Sequence, residues 1–142
     1  MRQLTILLLI CLAGCSTTTT TNTKMNSDVL NGIWIPVKQE MNGNELPKTA
    51  FENQKLTISD STYTLITDTI DKGIIKYKDD NKTDIYSKEG ANAGKHFTAI
   101  YKFENEQLTV CYNFSGDLYP VTFDTKNKPT YFLSVFKKEL AK

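Results

Sequence analysis

The sequence predicts an all-β chain, a small closed antiparallel barrel of about eight or nine short strands with one brief helix after the first. Three observations predict it. After residue 30 the apolar residues recur mostly at every second position, the period of a strand. Turn-forming groups, Asn42-Gly43, Asp60-Ser61, Asp79-Asp80-Asn81 and Asn105-Glu106, interrupt that pattern at close intervals. Several segments also carry one greasier face: Leu56 and Ile58, Tyr63 and Leu65, Phe97, Ala99, Tyr101 and Phe103, then Leu108, Val110, Tyr112 and Phe114. Such alternation turns one sheet face to an interior and the other to water. Curling the sheet shut satisfies both and hides the edges. A two-sheet sandwich is the alternative.

The first strand runs over 33–40, and Pro36, which has no N–H to give, places an edge, bulge or bend in it. After the Asn42-Gly43 turn, residues 47–53 read as a short helix with Pro47 in its first turn and Phe51 inward. Strands at 54–59 and 62–67 pair across Asp60-Ser61; strands at 71–78 and 82–87 pair across the Asp79 turn. The glycine-flanked stretch 90–94 is a flexible loop, and 96–104 with 107–114 is the clearest hairpin. Strands at 119–124 and 130–137, split by Lys126-Asn127-Lys128-Pro129, complete the count. The folded domain is therefore 29–142, with the only tryptophan, Trp34, at its head.

The front of the chain is of another kind. Arg2 gives a positive start, residues 4–12 are apolar, and Ala13-Gly14 are small. A run of about ten apolar residues is half the ~20 a membrane span needs, so 1–14 reads as a signal segment. Leu12-Ala13-Gly14-Cys15 resembles the lipobox of bacterial lipoproteins. That resemblance implies cleavage before Cys15 and a diacylglycerol on its sulfur, and with two or three acyl chains the attachment is effectively stable. An ordinary signal peptide followed by a chance cysteine is the other reading. Ser16 is not the aspartate associated with inner-membrane retention, so an outer-membrane address is favoured where the cell has two membranes. Residues 15–28, rich in threonine, have no face to bury and form a solvated tether of ~20 Å mean reach.

Beyond the signal segment the chain has sixteen lysines, sixteen acidic residues and no arginine. Balanced, unclustered charge argues against a nucleic-acid partner. Cys11 leaves with the signal and Cys15 carries lipid, which leaves Cys111 without an intrachain partner. The apolar strand around it predicts a packed thiol, and the domain must stand on its core.

Gly32-x-Trp34 at the first strand resembles the lipocalin signature, whose tryptophan packs across the closed end of the barrel. Residues 30–47, with Gly32, Trp34, Asn42-Gly43 and Leu46-Pro47, resemble the opening of an uncharacterised lipocalin-like bacterial domain family, the planctomycete type. Ile100-Tyr101-Lys102-Phe103 with Leu108-Thr109-Val110-Cys111 is a second match; Tyr119-Pro120-Val121-Thr122-Phe123 and residues 133–138 are a third. The resemblance covers nearly all of 30–139 and implies a lipocalin-like barrel. The family carries no agreed activity, so it supplies no catalytic residues. Tyr119 stands where the family often has a basic residue, and any role tied to that charge is lost here.

No motif asks for catalysis. His96 is the only histidine, too few for a multi-histidine metal site, and reads as a surface or strand-end residue. Gly-x-Ser-x-Gly and phosphate-cradling loops are absent from the sequence. Asp60, Asp68, Asp71 and Asp117 fall at expected turns, where aspartate commonly bonds nearby backbone. A hydrolase would need His96 beside a carboxylate, or Cys111 in a cleft. The expectation is a non-enzymatic module without metal or cofactor, tethered to a membrane by lipid. Its aromatics either fill the barrel or line a pocket for a small apolar or amphipathic molecule, with Trp34, Tyr63, Phe97, Tyr101, Tyr112 and Tyr131 as the lining candidates. A filled barrel would suit the alternative, a structural lipoprotein that binds an envelope protein.

Overall fold

The expected turns carry the left-handed backbone that a tight reversal demands. Asn42 and Gly43 have φ of 50° and 78°, Asp80 and Asn81 58° and 55°, Asn105 and Glu106 51° and 61°, and Asp60 52°. Each reversal joins neighbouring antiparallel strands. In the computed structural model, which describes residues 27–140, these are β1 (Gly32–Met41), β2 (Asn44–Glu45), β3 (Lys55–Ser59), β4 (Thr62–Ile66), β5 (Ile70–Tyr77), β6 (Lys82–Glu89), β7 (His96–Glu104), β8 (Gln107–Asn113) and β9 (Tyr131–Lys138). The signal segment 1–14, Cys15 and most of the tether lie outside the described residues.

The strands follow chain order, β3 to β9, and β1 pairs with both β3 and β9. From Trp34↔Lys138 to Met41↔Phe132 that last pairing shuts the sheet into an eight-stranded, up-and-down antiparallel barrel, with β2 a two-residue extension on the end of β1. The all-β closed barrel read from the sequence is what the chain forms. Pro36 acts as expected: the β1–β9 register slips between Pro36 and Lys38, leaving Val37 as the extra, exposed residue of a bulge.

Two expected elements differ. Residues 119–124 are no strand. Pro120 cannot donate to a ladder, and the backbone at Leu118 is captured by side chains: the Thr98 hydroxyl donates to its carbonyl at 2.6 Å and Asn113 Nδ2 at 2.9 Å. Residues 114–130 thus form an irregular strap across the outside of β7–β9. It explains why these strands are apolar on both faces. Ile100, Cys111 and Leu133 point outward into a second buried cluster with Phe123 and Tyr131 packed on it. The helix expected at 47–53 is a single 3-10 turn, Lys48–Ala50, which seats Phe51 inward at 4% exposure. A further helical turn at 27–30, ahead of β1, brings Leu30 under the barrel.

Candidate functional site

One end of the barrel is built to be shut. Trp34 is fully buried there, its indole N–H donating to the Leu30 carbonyl at 2.8 Å and its ring meeting Phe103 edge-on at 6.0 Å. Gly32, at φ 138°, lets the Lys138 stem pass where a side chain would stand, and the Lys138 ammonium lies 5.4 Å from the indole centroid. The Gly-x-Trp spacing has that physical content: glycine for the stem, tryptophan for the floor.

Above the floor the interior is not filled. A cavity of about 550 Å³ runs to the other end, within the ~300–1,000 Å³ common for ligand sites. Its depth is walled by inward residues of successive strands, Leu56 and Ile58 on β3, Ile75 on β5, Leu108 and Val110 on β8, and Phe136 on β9. At the mouth stand Phe97, Phe114 and Phe132, with Phe114 stacked on Phe132 at 5.6 Å and met edge-on by Phe97 at 5.3 Å.

Polar residues interrupt this wall, Gln39, Gln54, Asp71 and Thr83 among them. Gln39, 4% exposed, donates from Nε2 to Gln54 Oε1 at 2.7 Å. More pointed is Asp71, a carboxylate 6% exposed on the inner face of β5. The Tyr63 hydroxyl donates to its Oδ2 at 3.1 Å and the Ser87 hydroxyl to its Oδ1 at 2.6 Å. Burial, with a smaller push from the Asp71 charge, raises the Tyr63 hydroxyl to about 12 against the pull of Ser87, so Tyr63 remains a donor at neutral pH. Gly73 makes this possible. It faces Tyr63 across β4–β5, and a Cβ there would stand 2.7 Å from Tyr63 Cε1 and 2.1 Å from the Tyr86 carbonyl oxygen. The β5–β6 register slip at Lys72/Gly73 brings Ser87 opposite that glycine and its hydroxyl onto the carboxylate.

Of the expected lining residues, Tyr63, Phe97, Tyr101 and Tyr112 face the cavity. Trp34 does not; it is the floor beneath, enclosed by Leu30 and Phe103. Tyr131 does not either, because its parity on β9 is outward and it packs under the strap. Asp71 and Ser87 are site residues that the sequence reading does not single out. Asp71 reads as a turn aspartate, yet it stands in phase with Gly73, Ile75 and Tyr77, and Ser87 in phase with Thr83 and Ile85.

His96 does lie beside a carboxylate, the condition set for a hydrolase. Its Nε2 is 2.9 Å from Asp84 Oδ1 and its ring stacks on Tyr86 at 4.6 Å, on the outer wall of β6–β7. Burial pushes the Asp84 carboxyl up, but hydrogen bonds from His96 and Tyr119 and the charges of His96 and Lys78 outweigh it and hold the group below its ordinary value. Cys111 lies in no cleft: it is fully buried, and burial raises its thiol to about 11. Among the described residues no group of three histidines, cysteines or carboxylates is placed to hold a metal. Comparison of the chain with family models, curated proteins and solved structures returns no match.

Proposed function

We propose that the protein is a non-enzymatic binding module of the bacterial cell envelope, held to a membrane by lipid on Cys15, that takes a small apolar or amphipathic molecule into its barrel. The observation that carries this reading is the cavity of about 550 Å³, apolar in depth and furnished with few polar groups near its mouth. The lipobox supports the anchor, and the Gly-x-Trp floor supports the lipocalin-like kinship. The chain enters β1 at the floor end, so a tether leading into it leaves the mouth on the far side. Native mass spectrometry of the protein extracted from its own membrane tests both halves together. The expected mass is that of residues 15–142 plus acyl chains, with a small molecule co-purifying. An unacylated chain would end the anchor reading, and one that never carries or takes up an apolar molecule would end the binding reading.

A second reading, an interaction lipoprotein, draws on a different surface. Leu118 and Val121 on the strap are 70% and 88% exposed, large apolar side chains that none of the described residues covers. Replacing both by serine and repeating a cross-linking capture in membranes tests it: loss of one discrete protein adduct supports a docking role, and an unchanged pattern removes it.

A further inference from the structure

A carboxylate inside an apolar barrel needs a reason. Taking a charge out of water costs several kcal/mol unless opposite charge or ample hydrogen bonding replaces the lost hydration. Among the described residues Asp71 receives two hydrogen bonds, one per oxygen, both from neutral hydroxyls. Each carboxylate oxygen can accept two, so half of its acceptor capacity is open. The ion pairs of the described residues use Asp80, Asp84, Asp124, Glu40, Glu45, Glu89, Glu104 and Glu139, and none involves Asp71. The lysine that lines the same cavity, Lys95, is exposed and bonds Asn92 Oδ1 at 2.9 Å. A buried carboxyl group with no ionic partner among the described residues therefore stands in the wall, facing the space a ligand would occupy.

Its height in the barrel matters too. Asp71 is the second residue of β5 and lies near the mouth, while Ile75 and Tyr77 on the same face lead down toward the floor. From Asp71 to Tyr77 is ~20 Å of strand, or ~15 Å along the axis once strand tilt is allowed for. With a carboxyl and amides toward the top, and mostly aliphatic and aromatic side chains with the Thr83 and tyrosine hydroxyls below, the cavity has an amphipathic profile that its occupant would match.

We infer that Asp71 is the anchor of this cavity and that the ligand class it fits is an amphipathic amine. The protonated amino group pairs with the Asp71 carboxylate at the mouth, and the apolar tail runs toward the Trp34 floor. Tyr63 and Ser87 are positioning residues that fix the carboxylate and leave its free lone pairs toward the cavity. A fatty carboxylate would bring like charge against Asp71 in a poorly screened site and is disfavoured for that reason. The inference rests on the binding-module reading and narrows it.

The test is competitive equilibrium dialysis of the full chain against equal concentrations of dodecylammonium, dodecanol and dodecanoate, all below their micellar concentrations, with the bound fraction identified by mass. Dodecylammonium is expected to be retained at least ten times better than either competitor. Asp71→Asn, which keeps the shape of the side chain, is expected to erase that preference while dodecanol is still retained. Equal retention of the three probes, preference for dodecanoate, or an amine preference unchanged in Asp71→Asn would overturn the inference and leave the cavity reading standing. Retention of none would overturn both. Should Asp71→Asn fold poorly, the wild-type selectivity alone decides the ligand class.

Discussion

The two ends of this barrel are made from the same strands but not to the same rule. At the floor, Trp34, Leu30 and Leu108 are almost wholly buried, and the indole has a hydrogen bond, an edge-on ring and an ammonium for company. At the mouth, Met41, Ile66, Ile70 and Phe114 are 37%, 37%, 53% and 41% exposed, and a carboxylate is buried among apolar walls. One end packs its tryptophan away, although Phe103 against it is still 44% exposed; the other stays open and holds a buried carboxyl group among apolar walls, which is unfavourable alone. Structures tolerate such costs where a site requires them, and the floor offsets them here.

Removing the plug puts this contrast under the greatest strain. Trp34→Ala deletes a fully buried side chain with its hydrogen bond, and should destabilise by ~3–5 kcal/mol, the range for large aromatic truncations. Urea unfolding measures it. A loss under about 1 kcal/mol would mean that the closed end is not where stability is concentrated.

Next in size is the strap, which belongs to neither end. Asn113, 2% exposed, donates to Asp117 and Leu118 and accepts from Ser115 and Thr130, so one side chain ties the strap at four places. Asn113→Ala is expected to cost ~1–3 kcal/mol through the partners left unpaired. It should also free the strap over Cys111, whose buried thiol, raised to about 11, ought to resist alkylation at pH 8 in the native protein. Faster Cys111 alkylation in the variant, at urea concentrations where the barrel still stands, is the expected signature. Alkylation that appears only with global unfolding would show the strap to be part of the barrel's own cooperative unit.

The outer wall adds a pH effect of smaller size. Asp84 has its carboxyl lowered in the folded state, with burial opposing and the His96 and Tyr119 hydrogen bonds prevailing. A lowered native value means that the unfolded chain binds the proton more readily. The stabilisation is therefore fully present above the ordinary carboxylate value of 3.8 and fades as pH falls through the native one. His96→Ala should flatten the acid limb of the stability–pH curve. An unchanged limb would assign the acid sensitivity to other carboxylates.

How far the sequence discloses all this depends on which side chains face which way. The strands are legible because Leu56, Ile58, Leu108 and Val110 alternate with polar neighbours, and the turns because Asn42-Gly43 and Asn105 tolerate positive φ. Residues 119–124 mislead for the same reason: Val121 and Phe123 alternate too, but the first faces water and the second packs on the barrel's exterior, a parity that local pattern cannot register. Composition alone puts Tyr131 in the cavity, though one residue of register sends it outward. Asp71 is hidden by its neighbourhood of turn residues, and the bulge that delivers Ser87 to it has no sequence mark beyond Gly73. Whether the interior is full or hollow is not legible at all, since both demand the same inward aromatics.

The smallest effect is expected at the rim, and its smallness is the point. Ile66 and Ile70 pair across β4–β5 at the mouth end, on the outer face of the barrel, and each already leaves over a third of itself in water. Full burial of such a side chain is worth ~1.5–3 kcal/mol, so a half-exposed one has little of that to lose. Ile70→Ser should then shift stability by about 0.5 kcal/mol, as most exposed positions do. Its urea midpoint ought to lie close to that of the parent. A loss comparable to that of Trp34→Ala would mean that the mouth is packed in solution as tightly as the floor. The asymmetry between the two ends, and with it the case for an entrance, would then be gone.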